Sequence, residues 1–208
     1  MKVLVLGNFG YNSKKLDGQT VKTRNVYSML LANVRGEVCF FDTDVFKQNK
    51  FLVFRMFQQI CACDKLVYLP AHGNLKYLFP IISVCSMIFG FKIIYIVIGG
   101  WLIDFLKSKP LLRHLLKKVE IICTETDLMK RKLGEVYSIF NVIVLPNFRR
   151  LDKEFSSSSD FPILSCQKLN MVFMARIQIN KGLDYIEDIC KYFEQTKLAQ
   201  RVSIDFYG

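Results

Sequence analysis

The sequence lacks the signatures of several large protein classes. It contains no ribonucleoprotein-type or zinc-finger motif, which makes nucleic acid the least favoured of its potential partners. Cys61 and Cys63 have no second pair of ligands and do not predict a metal site. The seven cysteines are odd in number and lie mostly in apolar segments, a pattern typical of reduced thiols in a cytosolic protein. Met1 and Lys2 lead directly into an apolar strand, so no signal peptide is expected.

Acidic residues are scarce in the first part of the sequence. Residues 1–150 contain 22 Lys and Arg against 10 Asp and Glu, whereas residues 151–208 contain seven against eight. The net charge of +11 therefore comes entirely from the first part. A basic surface of this kind attracts phosphate groups, whether of a nucleic acid, an anionic bilayer or a phosphorylated substrate.

Charged residues are almost absent from residues 78–103, where Lys92 is the only one. The segment is long enough for a transmembrane helix, which needs about 20 apolar residues. However, Gly90 and Lys92 divide it, and β-branched residues follow the division. This pattern predicts a buried helix over residues 78–91 and then a buried parallel strand, without a membrane span.

The first 150 residues alternate between strand and helix patterns, which predicts a Rossmann-like α/β domain with a parallel sheet. The predicted strands are nearly continuous apolar runs, at residues 3–6, 38–41, 66–69, 93–98, 121–123 and 142–145. The predicted helices are 20–34, 51–62, 75–89, 111–118 and 127–133, with Gly36 and Gly134 closing the first and the last. Ligands of such sheets bind at the carboxyl ends of the strands.

A second, smaller unit is predicted after a polar linker. Residues 153–160 are rich in Ser and predict a linker over residues 151–167. From residue 168, a strand, an amphipathic helix and another strand predict the first β-α-β of a second Rossmann-like domain. This stretch is shorter than the roughly 50 residues of a small domain, so we expect the second domain to be incomplete within residues 168–208.

The turn after the strand at 169–174 carries two cations. Arg176 follows this strand, and Lys181-Gly182 opens the next helix. Backbone N–H groups and the macrodipole make a helix N-terminus favourable for anions. Two fixed cations beside such a terminus suit a diphosphate leaving group. The alternative is that Arg176 and Lys181 are solvated loop charges.

The segment from Gly7 to Gly10 invites comparison with a dinucleotide-binding motif, in which Asp42 or Asp44 would bind a ribose. The full G-x-G-x-x-G pattern is absent, and the loop up to Gly18 is too long for a tight pyrophosphate turn. A nucleotide-binding oxidoreductase is therefore a less favoured alternative. The polar, basic loop at 12–19 is better suited to a phosphorylated or sugar acceptor.

Residues 107–118 predict a basic amphipathic helix. Leu111, Leu112, Leu115 and Leu116 fall on one face, and Arg113, Lys117 and Lys118 fall on the other. Such a helix can lie on an anionic bilayer, and salt-sensitive binding to anionic vesicles is then expected. The alternative is that the leucines cover the sheet and the cations are solvated.

Five short motifs stand in a characteristic order along the chain. They are Gly-Gln-Thr-Val-Lys-Thr-Arg-Asn at 18–25, Ile-Gly-Gly-Trp-Leu at 98–102, Cys-Thr-Glu-Thr at 123–126, Val-Leu-Pro-Asn-Phe-Arg at 144–149 and Met-Ala-Arg-Ile-x3-Lys-Gly at 174–182. In this order they resemble the retaining glycosyltransferases of family four (group one), above all members that build capsular polysaccharide, lipopolysaccharide or other cell-surface glycans. The resemblance extends over the whole chain. It implies the GT-B architecture, in which two Rossmann-like domains face each other across a cleft.

The resemblance also implies roles for individual residues. Arg176, Lys181 and Gly182 correspond to the site for the donor diphosphate. Gly18, Gln19 and Lys22 correspond to an acceptor or phosphate loop, where the missing Cβ of Gly18 permits a close approach of the backbone to phosphate. Catalysis in this family is metal-independent, and no cofactor is expected besides the nucleotide-sugar substrate.

Five further residues are candidates for the cleft, namely Gly99, Gly100, Glu125, Asn147 and His72. Glu125 alternatively caps the helix that begins near Thr126, and Asn147 alternatively closes a turn before the linker. For His72, the alternative is a structural role in a loop. Many relatives place a His where this chain has Gly99-Gly100-Trp101, so no catalytic residue is assigned.

The sequence thus predicts a glycosyltransferase that moves a sugar from a nucleotide diphosphate donor to a saccharide or lipid-linked acceptor. We expect a cytoplasmic location, peripheral at the inner face of the cell membrane, with an anionic membrane surface as a candidate partner and no nucleic acid. The family's acidic E-x7-E motif normally lies downstream of the turn at 176–182, and residue 208 precedes it. The donor site is therefore expected to be incomplete, and a non-catalytic fragment that acts as a binding module is the alternative.

Overall fold

The computed structural model describes residues 1–14, 16–148, 169–175, 177, 179–196 and 198–207, without the side chains of residues 47 and 180. The chain divides into two compact units, Met1–Arg150 and Leu151–Gly208. The whole of the linker predicted at 151–167 and the predicted site residue Arg176 lie outside the described residues.

The first unit contains six strands and six α-helices among its described residues. The strands are β1 (Lys2–Gly7), β2 (Glu37–Asp42), β3 (Lys65–Leu69), β4 (Lys92–Ile96), β5 (Ile121–Thr124) and β6 (Val142–Val144). The helices are α1 (Gly18–Asn33), α2 (Leu52–Cys61), α3 (His72–Phe89), α4 (Leu102–Leu106), α5 (Pro110–Leu116) and α6 (Asp127–Tyr137), and a 3-10 turn covers Thr43–Lys47. All six predicted strands are confirmed, whereas α4 was not predicted.

The six strands form one parallel sheet in the order β2-β1-β3-β4-β5-β6. The chain moves outward from β1 to β2 and then reverses, because β3 pairs on the other side of β1. Right-handed crossovers place helices on opposite faces when the direction reverses. Accordingly, Val26 of α1 packs in one core with Val3 and Val5, while Met56 of α2 and Phe79 of α3 belong to the other. The α/β class is confirmed, and the sheet is compatible with a Rossmann-like domain.

Three predicted element boundaries are wrong. Gly134 does not close α6, which continues to Tyr137 and ends at Ser138, a residue with φ 53°. Gly134 has no positive φ, and a Cβ there would lie in ordinary van der Waals contact, 3.4 Å from the ring of Phe140, so the helix continues through this residue. Strand β4 ends at Ile96, two residues earlier than expected. Helix α3 begins at His72, in a segment predicted to be a loop.

The prediction of a buried helix after residue 78 is also wrong, because α3 is buried on one face only. Leu75, Phe79 and Ile82 are fully buried, whereas Ile81 and Val84 are more than half exposed. None of the described helices is long and apolar enough to cross a membrane.

Helix α5 presents its leucines largely to the core. Leu112 and Leu116 are buried and Leu115 packs against them, which supports the alternative that the leucines cover the sheet. Leu111 departs from the predicted apolar face because it is 60% exposed. The cations Lys117 and Lys118 are exposed, as expected.

The second unit contains β7 (Leu169–Met174), α7 (Leu183–Gln195) and β8 (Val202–Tyr207). Strands β7 and β8 pair in parallel, so the helix between them crosses from the carboxyl end of one strand to the amino end of the other. Two 3-10 turns, Ile179–Lys181 and Leu198–Gln200, flank α7. No described residue of α7 is buried, which fits a sheet of two strands.

Candidate functional site

The carboxyl edge of the six-stranded sheet brings several of the predicted site residues together. The strand order reverses between β1 and β3, and open parallel sheets bind ligands at such a reversal, outside the carboxyl ends of the strands. The loops after β1, β4 and β5 therefore surround the natural binding position of this fold.

A buried ion pair crosses this edge. Lys22 lies in the second turn of α1 with 7% of its side chain exposed, and its Nζ lies 2.7 Å from Oε1 of Glu125, which is 19% exposed. The same ammonium donates to the carbonyl oxygen of Val97 at 2.9 Å. Lysine is almost never buried without partners, and these two contacts supply them.

Glu125 also holds the loop that follows β4. Its Oε1 accepts a hydrogen bond from the backbone N–H of Gly99 at 3.2 Å. Gly99 has φ +76°, in the left-handed region that favours glycine. Lys22, Gly99 and Glu125 thus make direct contact, although they come from three separate segments of the sequence.

The alternative role of Glu125 as a helix cap is wrong. The hydroxyl oxygen of Thr126 accepts from the backbone N–H of Met129 at 3.2 Å, so Thr126 itself caps α6. Glu125 is directed instead to Lys22 and Gly99.

Gly18 and Gln19 form the N-terminus of α1 and share a helix face with Lys22, which follows them by four and three residues. Asp17 precedes them as the N-cap, and its carboxylate accepts from the backbone N–H of Thr20 at 2.9 Å. A Cβ at Gly18 would meet nothing within 4 Å. The space beside this helix terminus is therefore open, while Lys22 lies one turn further along the same face.

Asp42 and Asp44 hold the long loop after β1 in place. The Asp42 carboxylate accepts from the backbone N–H groups of Phe9 at 2.9 Å and Tyr11 at 3.1 Å, and Asp44 accepts from Ser13 at 3.1 Å. Both acids are buried. Both carboxylates accept hydrogen bonds from the backbone of the loop. This weakens the dinucleotide hypothesis, in which one of them would bind a ribose. Sequence reasoning had missed this role.

An aromatic cluster borders the loop after β4. The ring of His72 lies 3.7 Å from that of Trp101, and Phe105 packs edge-on against Trp101 at 5.1 Å. His72 is thereby placed beside the Gly99-Gly100 turn, at the start of α3 rather than in a loop. The Trp101 indole N–H donates to the carbonyl oxygen of Ile98, which fixes the turn from its other side.

The remaining first-unit candidates are more exposed. Gly100 is exposed in the turn that Glu125 anchors through Gly99, and a Cβ there would meet nothing within 4 Å. Asn147 is exposed in the segment after β6. That segment is tied to α1 because the Asn25 amide donates to the carbonyl oxygen of Phe148 at 2.9 Å.

In the second unit, Lys181 and Gly182 stand at the N-terminus of α7. Gly182 is the N-cap with φ +84°, a conformation that disfavours residues with a Cβ. Lys181 is exposed and ends the preceding 3-10 turn. Because α7 crosses from the carboxyl end of β7 to the amino end of β8, its N-terminus and the Lys181 cation lie on the carboxyl side of this sheet.

Comparison with protein-family models and with curated proteins finds no match to this chain. Within the described residues, no group of three or more His, Cys, Asp and Glu side chains could hold a metal ion. The carboxyl edges of the two sheets and the sequence motifs are therefore the features that bear on function.

Proposed function

We propose that the chain is a glycosyltransferase of GT-B architecture, which moves a sugar from a nucleotide diphosphate donor to a saccharide or lipid-linked acceptor in the synthesis of cell-surface glycans. The observation that carries the proposal is the contact among Lys22, Glu125 and Gly99 at the carboxyl edge of the parallel sheet. All three lie in motifs that resemble those of retaining glycosyltransferases.

The first unit would bind the acceptor. The N-terminus of α1 presents the backbone N–H groups of Gly18 and Gln19 and a positive dipole end to a phosphate, and no side chain at Gly18 obstructs them. The Lys22–Glu125 pair holds the Gly99-Gly100 turn beside this terminus. A phosphorylated or lipid-linked sugar would then contact backbone groups whose positions are fixed before it binds.

The second unit would bind the donor. The Lys181 cation and the N-terminus of α7 stand where a diphosphate leaving group gains most from positive charge. Gly182 leaves this terminus accessible because it carries no side chain. Arg176, which lies outside the described residues, would add the second cation.

The experiment that tests the proposal measures nucleoside diphosphate release and sugar transfer from a panel of UDP-, GDP- and ADP-sugars. Lys181→Glu should abolish turnover of the preferred donor, since it reverses the charge beside the leaving group. Arg201→Glu is the matched control, because Arg201 is an exposed cation at the amino end of β8. Equal turnover in the two variants would refute the role of Lys181.

The alternative is a binding module without turnover. Saturable binding of one nucleotide sugar, without release of nucleoside diphosphate, would select this alternative. An absence of both binding and turnover with the whole panel would reject both functions.

A further inference from the structure

The outward face of α3 is apolar along most of its length. Tyr77, Ile81, Val84 and Ile88 are spaced by four, three and four residues, which places them in one stripe at about 100° per residue. All four are more than half exposed. We refer to them as the α3 stripe. The opposite face of the helix is buried in the core, so α3 is apolar on both faces, which is unusual for a helix that faces water.

The two helices that pack against α3 also carry exposed apolar residues. Phe51 and Phe54, at the start and in the first turn of α2, are 80% and 73% exposed, and Leu111 of α5 is 60% exposed. Large exposed apolar patches on a protein surface mark interaction sites, whereas single exposed apolar residues do not.

Cations flank the α3 stripe at both ends. Residues 65–119, which include α3 and α5, hold eight Lys and Arg against one Asp. At the first end, the Lys76 ammonium lies 4.6 Å from the ring centroid of Tyr77. At the other end, Met87 lines a groove together with Lys92, Lys118 and Glu120, and the Glu120 carboxylate is paired with Lys65 at 2.9 Å.

We propose that the α3 stripe docks the chain onto an anionic lipid bilayer, with the helix axis parallel to the surface. The stripe would enter the boundary between headgroups and acyl chains, and the flanking cations would contact anionic headgroups. A bilayer of this kind supplies an apolar phase and negative charge over one extended plane. A second copy of the chain would bring the same basic segment against itself, and the like charges would repel.

This surface differs from the one that the sequence predicted. Leu112 and Leu116 of α5 are buried in the core, so α5 can contribute only its cations and the exposed Leu111. The apolar contact comes from α3, whose N-terminal residue, His72, lies beside the Gly99-Gly100 turn. The inference stands on this surface alone and does not depend on the proposed sugar transfer.

The test is co-sedimentation of the 208-residue chain with vesicles of phosphatidylcholine, alone or mixed with phosphatidylglycerol. We expect binding to the mixed vesicles at low salt, weaker binding at high salt, and little binding to phosphatidylcholine alone. Val84→Asn should weaken binding to the mixed vesicles by about tenfold, since it places an amide where an apolar side chain enters the bilayer. Val136→Asn is the matched control, because Val136 of α6 is 59% exposed and Val84 is 54% exposed.

A second pair of variants tests the charge. Lys118→Gln should weaken binding by about fivefold, the effect of one Lys near an anionic surface. The control Lys130→Gln removes an exposed cation from α6 and should leave binding unchanged. The thermal unfolding midpoint of each variant checks that it is folded, and Ile88→Asn replaces Val84→Asn if the latter is not.

Three results would overturn the proposal. One is an absence of binding to the mixed vesicles at low salt. Another is a failure of specificity, seen as equal binding to the two kinds of vesicle or as an equal loss of vesicle binding in Val84→Asn and Val136→Asn. The third is a dimer that Val84→Asn dissociates while vesicle binding is absent, which would assign the stripe to a second copy.

Discussion

Removal of Glu125 from the buried pair should destabilise the first unit strongly. The Lys22 ammonium is 7% exposed in the intact pair; in Glu125→Ala it loses its carboxylate partner and keeps its bond to the Val97 carbonyl, while the N–H of Gly99 loses its acceptor. Breaking a buried pair by removing one partner costs about 3–5 kcal/mol. Because Glu125 is 19% exposed, water can partly replace its carboxylate, so we expect a loss near the lower end, about 3 kcal/mol.

Urea unfolding followed by the fluorescence of Trp101 measures this loss, because the only Trp of the chain lies in the first unit. The double variant Lys22→Met/Glu125→Leu removes both charges and should recover most of the stability. Asp104→Ala is the control, since Asp104 and Lys107 form an ion pair of the same 2.7 Å length with 70–79% exposed side chains, and little change is expected. A loss below about 1 kcal/mol in Glu125→Ala, or a double variant no more stable than Glu125→Ala, would refute the reasoning.

Three further predictions concern individual side chains. Tyr95→Phe should raise the free energy of unfolding by about 1 kcal/mol in urea, since the Tyr95 hydroxyl is buried without a hydrogen-bond partner among the described residues; a loss of stability would contradict this. Burial raises the pKa of Cys63 from 9.0 to about 12 and that of Cys123 to about 11, so the folded state favours both protonated thiols. The free energy of unfolding should therefore fall as the pH rises above about 9, and it should fall less steeply in Cys63→Ala. The same dependence on pH in Cys63→Ala and in the unchanged protein would contradict the effect of burial. The hydrogen bond and charge of Lys76 lower the pKa of Tyr77, so Lys76→Gln should raise this pKa towards 10.0 in an NMR titration of the ring. The same Tyr77 pKa with and without Lys76 would contradict the contact.

Apolar periodicity was enough to predict the strands of the sheet. Continuous apolar runs indicate strands that are covered on both faces, and these runs located all six within two residues at each end. The helix boundaries depended on tertiary contacts that a local pattern does not contain. Gly134 illustrates this, because the helix continues through this glycine and ends four residues later at Ser138.

The exposed side of α3 was not predictable for a different reason. An apolar residue predicts burial, and a helix that is apolar on all sides predicts a core position. The sequence of α3 therefore indicated burial, whereas the fold covers only the face around Phe79 and Ile82. The excess apolar residues lie on the surface of α3, and the sequence pattern could not distinguish them from core residues.

The sequence was enough to predict which residues belong to the candidate site, but not which of them contact each other. Position after a strand singled out Gly99 and Glu125, and the motif at 18–25 singled out Lys22. The sheet order, which no local pattern gives, brings Lys22 to Glu125 across 103 residues of chain. The roles of Asp42 and Asp44 were missed because their partners are backbone N–H groups, which carry no side-chain signal.

The most direct test of the proposed function is equilibrium binding of nucleotide sugars to the chain, measured by calorimetry with UDP-, GDP- and ADP-linked donors. We predict saturable binding of one donor class that weakens at least about tenfold in Lys181→Glu, the loss expected for a hydrogen bond to a charged group, and persists in Arg201→Glu. Binding that is absent for every donor, or that both variants weaken equally, would contradict a donor site at the N-terminus of α7.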